Sequence, residues 1–148
     1  MMETPMDRID KILNHDLFLY HLGRNNAAEA DRRFCRHGMV HFLDVARIGT
    51  IIALEEGLKI DREWIYAAAL LHDCGKHEQY ENGIPHEQAS ARIAPEILKT
   101  CGFNDEETGV IVTAISRHRD PEAAKEKNLN GILYRADKAS RACFVERL

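Results

Sequence analysis

Apolar residues recur three and four positions apart along most of the chain, whereas β-branched residues rarely alternate with polar ones. The first pattern is typical of helices that bury one face, and the second would be needed for strands. We therefore predict an all-α fold, a single-domain helical bundle. The predicted helices cover about 6–22, 26–35, 38–56, 62–73, a stretch from Pro85 onwards, 104–118 and 129–147, with loops over 77–85 and 119–128.

Several of these helices carry signals at their ends. Gly57 is expected to stop the helix before it, because glycine readily adopts the left-handed conformation that closes helices. Asp61 is predicted as the N-cap of the next helix. Asn104 and Glu107 are close to a capping box at the start of another. Pro95 should kink or split the helix that contains it, since proline cannot donate a backbone hydrogen bond.

Five predicted helices each place one titratable side chain on their apolar face. His41, for example, precedes Val45 and Ile52 at i+4 and i+11. One such histidine alone would most often be a core residue hydrogen-bonded to a carbonyl group. A buried carboxylate such as that of Asp137 costs several kcal/mol unless a cation accompanies it. The complete set is His41, His72, His86, His118 and Asp137, with Asp73 beside His72.

The chemistry of these six side chains predicts a metal site, because one or two divalent cations would satisfy all of them together. Imidazole and carboxylate ligands without a thiolate suit Fe, Mn, Co, Ni, Zn or Mg. Six ligands are too many for one catalytic metal with open positions, so we expect two metals that share Asp73. The cysteines lie far apart without a CxxC motif, and Cys74 is interpreted as a packing residue.

Composition and charge narrow the choice of partners. The chain has 148 residues, the usual length of one domain, and a formal net charge of −4 with no long basic run. This argues against a surface that coats nucleic acids. No apolar run reaches the roughly 18 residues that a membrane span needs, and the N-terminus is polar rather than a secretory signal. We therefore expect a cytoplasmic protein with no membrane partner; the oligomeric state stays open.

The order of four candidate ligands also resembles a known family. His41, then the doublet His72-Asp73, then Asp137 is similar to the H…HD…D signature of the HD-domain superfamily of metal-dependent phosphohydrolases. The surrounding segments match as well: HFLDVARIG, AALLHDCGK and ILYRADKASR. The resemblance covers about 38–145, which leaves N-terminal helices over about 6–35 before a metal-site core. It implies an all-helical HD fold and hydrolysis of a phosphate ester or anhydride.

The resemblance extends to finer features. His86 and His118 lie where family members with two metals carry two further histidines. The chain is nearest to the small bacterial HD hydrolases, including the diadenosine-polyphosphate hydrolase-like group, although that group's ending differs from ADKASR. No Gly-Tyr-Pro element follows His118, so a cyclic dinucleotide is not the predicted substrate. The other His-Asp pair, His15-Asp16, lacks a following Gly-x-Lys and is interpreted as structural.

For a hydrolase of this kind, the metals would activate a water molecule and Asp73 would bridge or orient them. Lys76 is predicted to meet a phosphate as a point charge, although a lysine after a helix end can equally be solvated. His77 could protonate a leaving oxygen, against the alternative of a histidine in a surface loop. Arg117 and Arg119 could clamp the phosphate of a nucleotide or a related small molecule, or be solvated. His37 is a further candidate for an outer contact.

Three other interpretations remain open at this point. The same ligands could serve oxygen-dependent chemistry at a diiron centre. The chain could also be a degenerate HD module that binds a nucleotide or regulates a partner without catalysis. A purely structural helical bundle is the simplest alternative, but it would leave the carboxylates of Asp73 and Asp137 without a cation.

Overall fold

The computed structural model describes residues 6–30 and 38–140. Over these residues the chain is helical and contains no strand, which confirms the predicted all-α class. No described helix is both long and apolar enough to cross a membrane. His37, residues 31–35 of the second predicted helix and the end of the last predicted helix lie outside the described residues. The helices are α1 Asp7–Leu13, α2 Asp16–Ala28, α3 Met39–Glu55, α4 Arg62–Leu71, α5 Lys76–Asn82, α6 His86–Thr100, α7 Asp105–Ser116, a 3₁₀ helix Pro121–Lys125 and α8 Leu129–Ala139.

The predicted end signals act as expected. Gly57 follows α3 with a φ of 67°, in the left-handed region that favours glycine. The Asp61 carboxylate caps α4 by accepting a hydrogen bond of 2.8 Å from the backbone N–H of Glu63. Asn104 and Glu107 complete a full capping box at α7, because each side chain accepts from the other residue's backbone N–H. These boundaries therefore follow from local side-chain chemistry.

Two predicted boundaries were wrong, at the N-terminal end and in the loop 77–85. The first predicted helix is two helices, α1 and α2, because the ring of His15 accepts from the backbone N–H of Leu17 and starts a new helix there. Helix α2 continues to Ala28, so the predicted break between 22 and 26 does not exist. The segment 77–85 is mostly α5, which ends at Gly83 with a φ of 72°. Its residues look polar, but Lys76 and His77 are buried against neighbouring helices, and packing overrides composition here.

Helix α6 is not split at Pro95, so this part of the prediction was wrong, and the kink stays a prediction. Ala94 before it and Ile97 and Leu98 after it are all fully buried. These contacts hold the helix on both sides of the one backbone hydrogen bond that proline cannot make. The predicted loop 119–128 similarly contains the short 3₁₀ helix, which Asp120 caps by accepting from the backbone N–H of Glu122.

Helix α4 lies at the centre of the bundle and contacts α1, α3, α6, α7 and α8. Its last five residues, 67–71, are completely buried, and three of them are alanines. Small side chains allow neighbouring helices to approach from every side, so α4 needs no polar face. The chain leaves α4 at His72 and Asp73, which therefore enter the middle of the protein rather than its surface.

The N-terminal helices are joined to this core by a partly buried ionic contact. The guanidinium of Arg8 on α1 donates to Glu63 on α4 at 2.7 Å and to Glu107 on α7 at 2.9 Å. The indole N–H of Trp64 donates to the same Glu107 carboxylate at 2.7 Å. One partly buried carboxylate thus receives charged and neutral donors from two helices, an arrangement stronger than an isolated surface pair.

Gly75 lies between α4 and α5 at a point where the chain touches α6. A Cβ atom at this position would lie 2.7 Å from the Ala89 Cβ and from the backbone N of Ser90. Real Cβ atoms essentially never approach other heavy atoms so closely, and the obstacle is backbone that cannot rotate away. The absence of a side chain at Gly75 therefore sets the distance between the turn after α4 and helix α6.

We expect Gly75→Ala to lower the free energy of unfolding by about 1–3 kcal/mol, the usual cost of overpacking. Gly109→Ala is the matched control, because Gly109 lies inside α7 and a Cβ atom at this position would have no other atom within 4 Å. This control should gain roughly 0.5–1 kcal/mol, since alanine loses less backbone entropy than glycine. Urea unfolding measures both values. Equal effects of the two substitutions would contradict the close approach at Gly75.

Candidate metal centre

The six predicted ligand residues come together from five helices. His41 lies in the first turn of α3, and His86 is the first residue of α6. His72 and Asp73 directly follow α4, and His118 follows α7 by two residues. Two groups of potential ligand atoms form, each with all atoms within 4.8 Å of one another. The first group contains His41, His72, Asp73 and Asp137, and the second contains Asp73, His86 and His118.

The carboxylate of Asp73 belongs to both groups through different oxygen atoms. Its Oδ2 lies 3.2 Å from the Nε2 of His72 and 3.5 Å from the Nε2 of His41. Its Oδ1 lies 3.3 Å from the Nε2 of His118 and 3.4 Å from the Nε2 of His86. A carboxylate with each oxygen directed at a separate set of donors has the geometry of a bridge between two cations.

Asp137, on α8, completes the first group. Its Oδ1 lies 3.1 Å from the Nε2 of His41 and 3.3 Å from the Nε2 of His72. Asp137 is only 1% exposed, so water does not compensate its charge. The other nitrogen of His41, Nδ1, lies 3.3 Å from the hydroxyl of Ser140 at the end of α8. Helices α3 and α8 therefore form one wall of the group.

The outer nitrogens of two histidines face carbonyl oxygens that fix the ring tautomers. Nδ1 of His72 lies 2.6 Å from the carbonyl of Ala69, and Nδ1 of His118 lies 2.7 Å from the carbonyl of Ile115. A carbonyl can only accept, so each Nδ1 carries the proton. In a neutral ring this leaves the Nε2 lone pair directed at the cluster. Outer partners of this kind orient histidines that bind metals.

Gln79 supplies the equivalent partner for His86. Its Oε1 lies 2.7 Å from the Nδ1 of His86 and also accepts from the backbone N–H of His86 at 3.0 Å. Because that backbone group is a donor, the atom facing His86 must be the oxygen of the amide. The Nδ1 of His86 therefore donates to Gln79, and its Nε2 lone pair also faces the cluster.

This arrangement tests whether the residues fit a cation. In the second group the Nε2 atoms of His86 and His118 lie 3.0 Å apart, and both face Asp73 Oδ1. Because both Nδ1 atoms are protonated, the two Nε2 atoms and Asp73 Oδ1 are all hydrogen-bond acceptors. Their lone pairs repel one another unless a proton or a metal lies between them. Among the described residues, Asp73 Oδ1 makes no hydrogen bond although it is buried. The donor set therefore fits divalent cations that accept imidazole and carboxylate ligands.

The electrostatics of the first group favour positive charge. Burial alone would lower the pKa of His72, but the charge of Asp73 and the hydrogen bond to Asp137 raise it to about 10. Burial would raise the pKa of Asp137, but its bonds with His41 and His72 hold it well below the ordinary value. Without a metal, protons on the imidazoles would thus balance the two carboxylates, and a metal would have to displace them.

The second group is less favourable to protons. Burial, together with the positive charge of Lys76, lowers the pKa of His86 to about 3 against the opposing effect of Asp73. Lys76 is the first residue of α5 and is 7% exposed, with its Nζ 3.3 Å from the Nδ1 of His86. The alternative of a solvated lysine was therefore wrong. Lys76 brings a buried ammonium group to the edge of the second group.

His77 is not a histidine of a surface loop, because it is buried within α5. Its Nε2 lies 2.9 Å from the Nδ1 of His21 on α2, and the two rings stack with centroids 5.1 Å apart. Burial and the neighbouring His77 lower the pKa of His21 to about 4. The ring of His77 therefore packs toward α2. Its predicted role as a proton donor to a leaving group stays a prediction.

The two candidate arginines differ in their surroundings. Arg117 forms ion pairs with Asp120 at 3.1 Å and with Glu126, both of which belong to the segment around the 3₁₀ helix. Arg119 is exposed, and its charge helps to lower the pKa of His86. Of the two, Arg119 thus combines an exposed guanidinium with an electrostatic effect on the cluster. Arg117 instead holds the connection between α7 and α8.

The other residues singled out from the sequence have structural surroundings. Cys74 is buried, and burial raises the pKa of its thiol to about 12, as expected for a packing residue. His15 caps α2 and contacts the hydroxyl of Thr100 at 2.7 Å. Sequence reasoning missed Gln79 and Asn25, two buried or partly buried amides near the doublet. No local motif distinguishes either amide from an ordinary helical residue.

Comparison with known proteins agrees with this geometry. The family model described as the HD domain matches residues 38–142, a segment that contains all six candidate ligands. An uncharacterized protein from Clostridium beijerinckii is 50% identical over 139 residues, which cover 94% of this chain and 87% of that protein.

A solved structure is also similar. The crystal structure of a predicted HD superfamily hydrolase from an uncultured Thermotogales bacterium, at 1.45 Å resolution, superimposes with a TM-score of 0.65 and 26% sequence identity. The match covers 87% of this chain and 72% of that one. Since the family model spans well over half of the sequence and includes the whole cluster, the chain belongs to the HD-domain family.

Proposed function

We propose that this protein is a metal-dependent phosphohydrolase that binds two divalent cations. The observation that carries the proposal is the position of Asp73, whose two oxygens face two separate groups of imidazoles. Membership of the HD-domain family and the similarity to a predicted HD superfamily hydrolase support a hydrolytic reaction. One cation would be held by His41, His72, Asp73 and Asp137, and the other by Asp73, His86 and His118.

Bound divalent cations in such a site supply an activated water molecule and polarise phosphoryl oxygens. The protein's own residues would orient these parts. Asp73 would fix the separation of the two positions, because its carboxylate is buried and each of its oxygens faces a different group of imidazoles. Lys76 would attract a phosphoryl oxygen, since its buried ammonium lies beside His86 where water screens it weakly.

The proposed substrate is a small molecule with a phosphate ester or anhydride, and a nucleotide is the preferred class. Arg119 is the better candidate for a phosphate clamp, because Arg117 is already occupied by two carboxylates. The identity of the metals among Fe, Mn, Co, Ni, Zn and Mg stays a prediction. The same holds for the likeness to the diadenosine-polyphosphate hydrolase-like group, for a cytoplasmic location and for possible oligomers.

The first test removes the proposed bridge with Asp73→Asn, a change that keeps the shape of the side chain. We expect metal content and phosphate release to fall by more than about 100-fold, the upper range for the loss of a mere outer partner. Asp44→Asn is the control, because Asp44 is a partly exposed aspartate three residues after His41. Metal analysis and a nucleotide panel with Mn, Fe, Co, Ni and Mg measure both effects.

Full metal loading together with full turnover in Asp73→Asn would overturn the proposed function. Oxygen consumption by the ferrous protein without phosphate release would instead support chemistry of the diiron oxygenase type. Nucleotide-induced thermal stabilisation without any turnover would support a non-enzymatic binding module. The three functions that share this ligand set therefore give different results in the same set of measurements.

The second test concerns the proposed division into two metal positions. Gln79→Leu removes the acceptor that orients His86, so we expect affinity at the second position to fall by about 10- to 100-fold. The first position should keep its affinity. At metal concentrations too low to fill the weakened position, the number of metal ions bound per chain should therefore approach one. Gln88→Leu, at an exposed position on α6, is the control. Isothermal titration measures both, and two unchanged sites in Gln79→Leu would contradict the assigned orientation.

A further inference from the structure

The turn that joins α4 to α5 carries the most important groups of the candidate site, His72, Asp73 and Lys76. Hydrogen bonds within the turn and with α6 restrain it. The backbone N–H of Lys76 donates to the carbonyl of Asp73 at 3.0 Å. The backbone N–H of Gly75 donates to the hydroxyl of Ser90 on α6 at 2.9 Å. These bonds fix the middle of the turn against α6, but they do not hold the side of the turn that faces α2.

Asn25 on α2 restrains that remaining side with both ends of one amide. Its Nδ2 donates to the backbone carbonyl of Asp73 at 2.8 Å. Its Oδ1 accepts from the backbone N–H of His77 at 2.8 Å. Asn25 is 0% exposed, so water cannot take over either bond. A single planar group therefore fixes the distance between the backbone of the proposed bridging residue and the first turn of α5.

The start of α5 explains why an outside residue is needed. The N-cap position is Gly75, which has no side chain to accept from the free N–H groups of the first turn. A serine, aspartate or asparagine cap cannot replace it, because a Cβ there would collide with Ala89 and Ser90. The contact with α6 thus excludes a local cap, and the Oδ1 of Asn25 provides one from another helix.

We propose that Asn25 is a positioning residue of the metal-binding turn. By holding the carbonyl of Asp73, it sets the direction in which the Asp73 carboxylate leaves the backbone and hence its placement between the two groups of imidazoles. The inference deepens the proposed function and rests on it for the metals. Asn25 lies outside the segment 38–142 that the HD-domain model matches, so α2 contributes to the site from beyond that segment.

Two variants separate the bonds of Asn25. Asn25→Ala removes both, whereas Asn25→Asp keeps an acceptor for the His77 N–H but places an oxygen against the carbonyl of Asp73. Asn104→Ala is the matched control, because Asn104 also caps a helix, α7, through an accepted bond of 2.8 Å and lies outside the candidate site. A merely structural role predicts that Asn25→Ala and Asn104→Ala differ only in stability.

The readouts are the affinity of the full-length protein for Co²⁺ and the visible absorption spectrum of bound Co²⁺, which reports ligand geometry. We expect both Asn25 variants to bind Co²⁺ about 10- to 100-fold more weakly, with an altered spectrum, as for other outer partners of metal ligands. Asn104→Ala should keep wild-type affinity and spectrum. Thermal unfolding of the metal-free proteins is measured in parallel to compare the losses of stability.

Wild-type Co²⁺ affinity and spectrum in a folded Asn25 variant would overturn the positioning role. If Asn25→Ala does not fold, Asn25→Ser, which places a hydroxyl where the amide carbon of Asn25 lies and so one bond short of both partners, carries the same comparison with Asn104→Ala. Failure of the wild-type protein itself to bind Co²⁺ would instead overturn the proposed metal site. The two failures are therefore distinguishable, because one appears in the variants alone and the other already in the wild-type protein.

Discussion

The structure depends on the need to balance two buried carboxylates. Asp73 and Asp137 are 2% and 1% exposed, and imidazole rings lie beside each of them. Isolated buried charges cost several kcal/mol each, so these carboxylates require protons or cations among their neighbours. Helices α3, α6, α7 and α8 each direct one titratable residue at the end of α4. The arrangement of these helices around α4 brings the imidazoles close enough to the carboxylates for protons or cations to balance their charge.

This requirement explains features that hydrophobic packing alone would not produce. The last five residues of α4 are completely buried and lead into the doublet, so its alanines serve to bring four neighbouring helices within reach of one point. Gly75 allows the following turn to touch α6, where Ser90 accepts from its backbone. The ring nitrogens that face away from the cluster contact carbonyl groups, Gln79 or the hydroxyl of Ser140. The close packing of the helices and the hydrogen bonding of the buried polar groups thus depend on the same few residues.

The sequence predicted the helices and the six cluster residues because both follow from local patterns. A histidine such as His118 at the end of an apolar stripe must face inward, wherever the partner helices lie. Helix α5 could not be predicted in the same way, since its polar residues are buried only through contacts with α2 and α6. The role of Asn25 was equally hidden, because its partners at Asp73 and His77 are 48 and 52 positions away in the chain.

The rigidity of the candidate site depends on how the helix ends that carry its ligands are held. Every ligand of the second group leaves the chain at or next to a helix end, where backbone groups lack partners within the helix. The ring of His118 donates to the backbone carbonyl of Ile115, and the ring of His86 donates to the amide oxygen of Gln79. The backbone carbonyl of Asp73 accepts from the side chain of Asn25. Helix ends allow side chains to converge, but they would also be mobile without such bonds. A site built from helix ends therefore requires an outer layer of fixed amides and carbonyls, and α2 supplies part of that layer here.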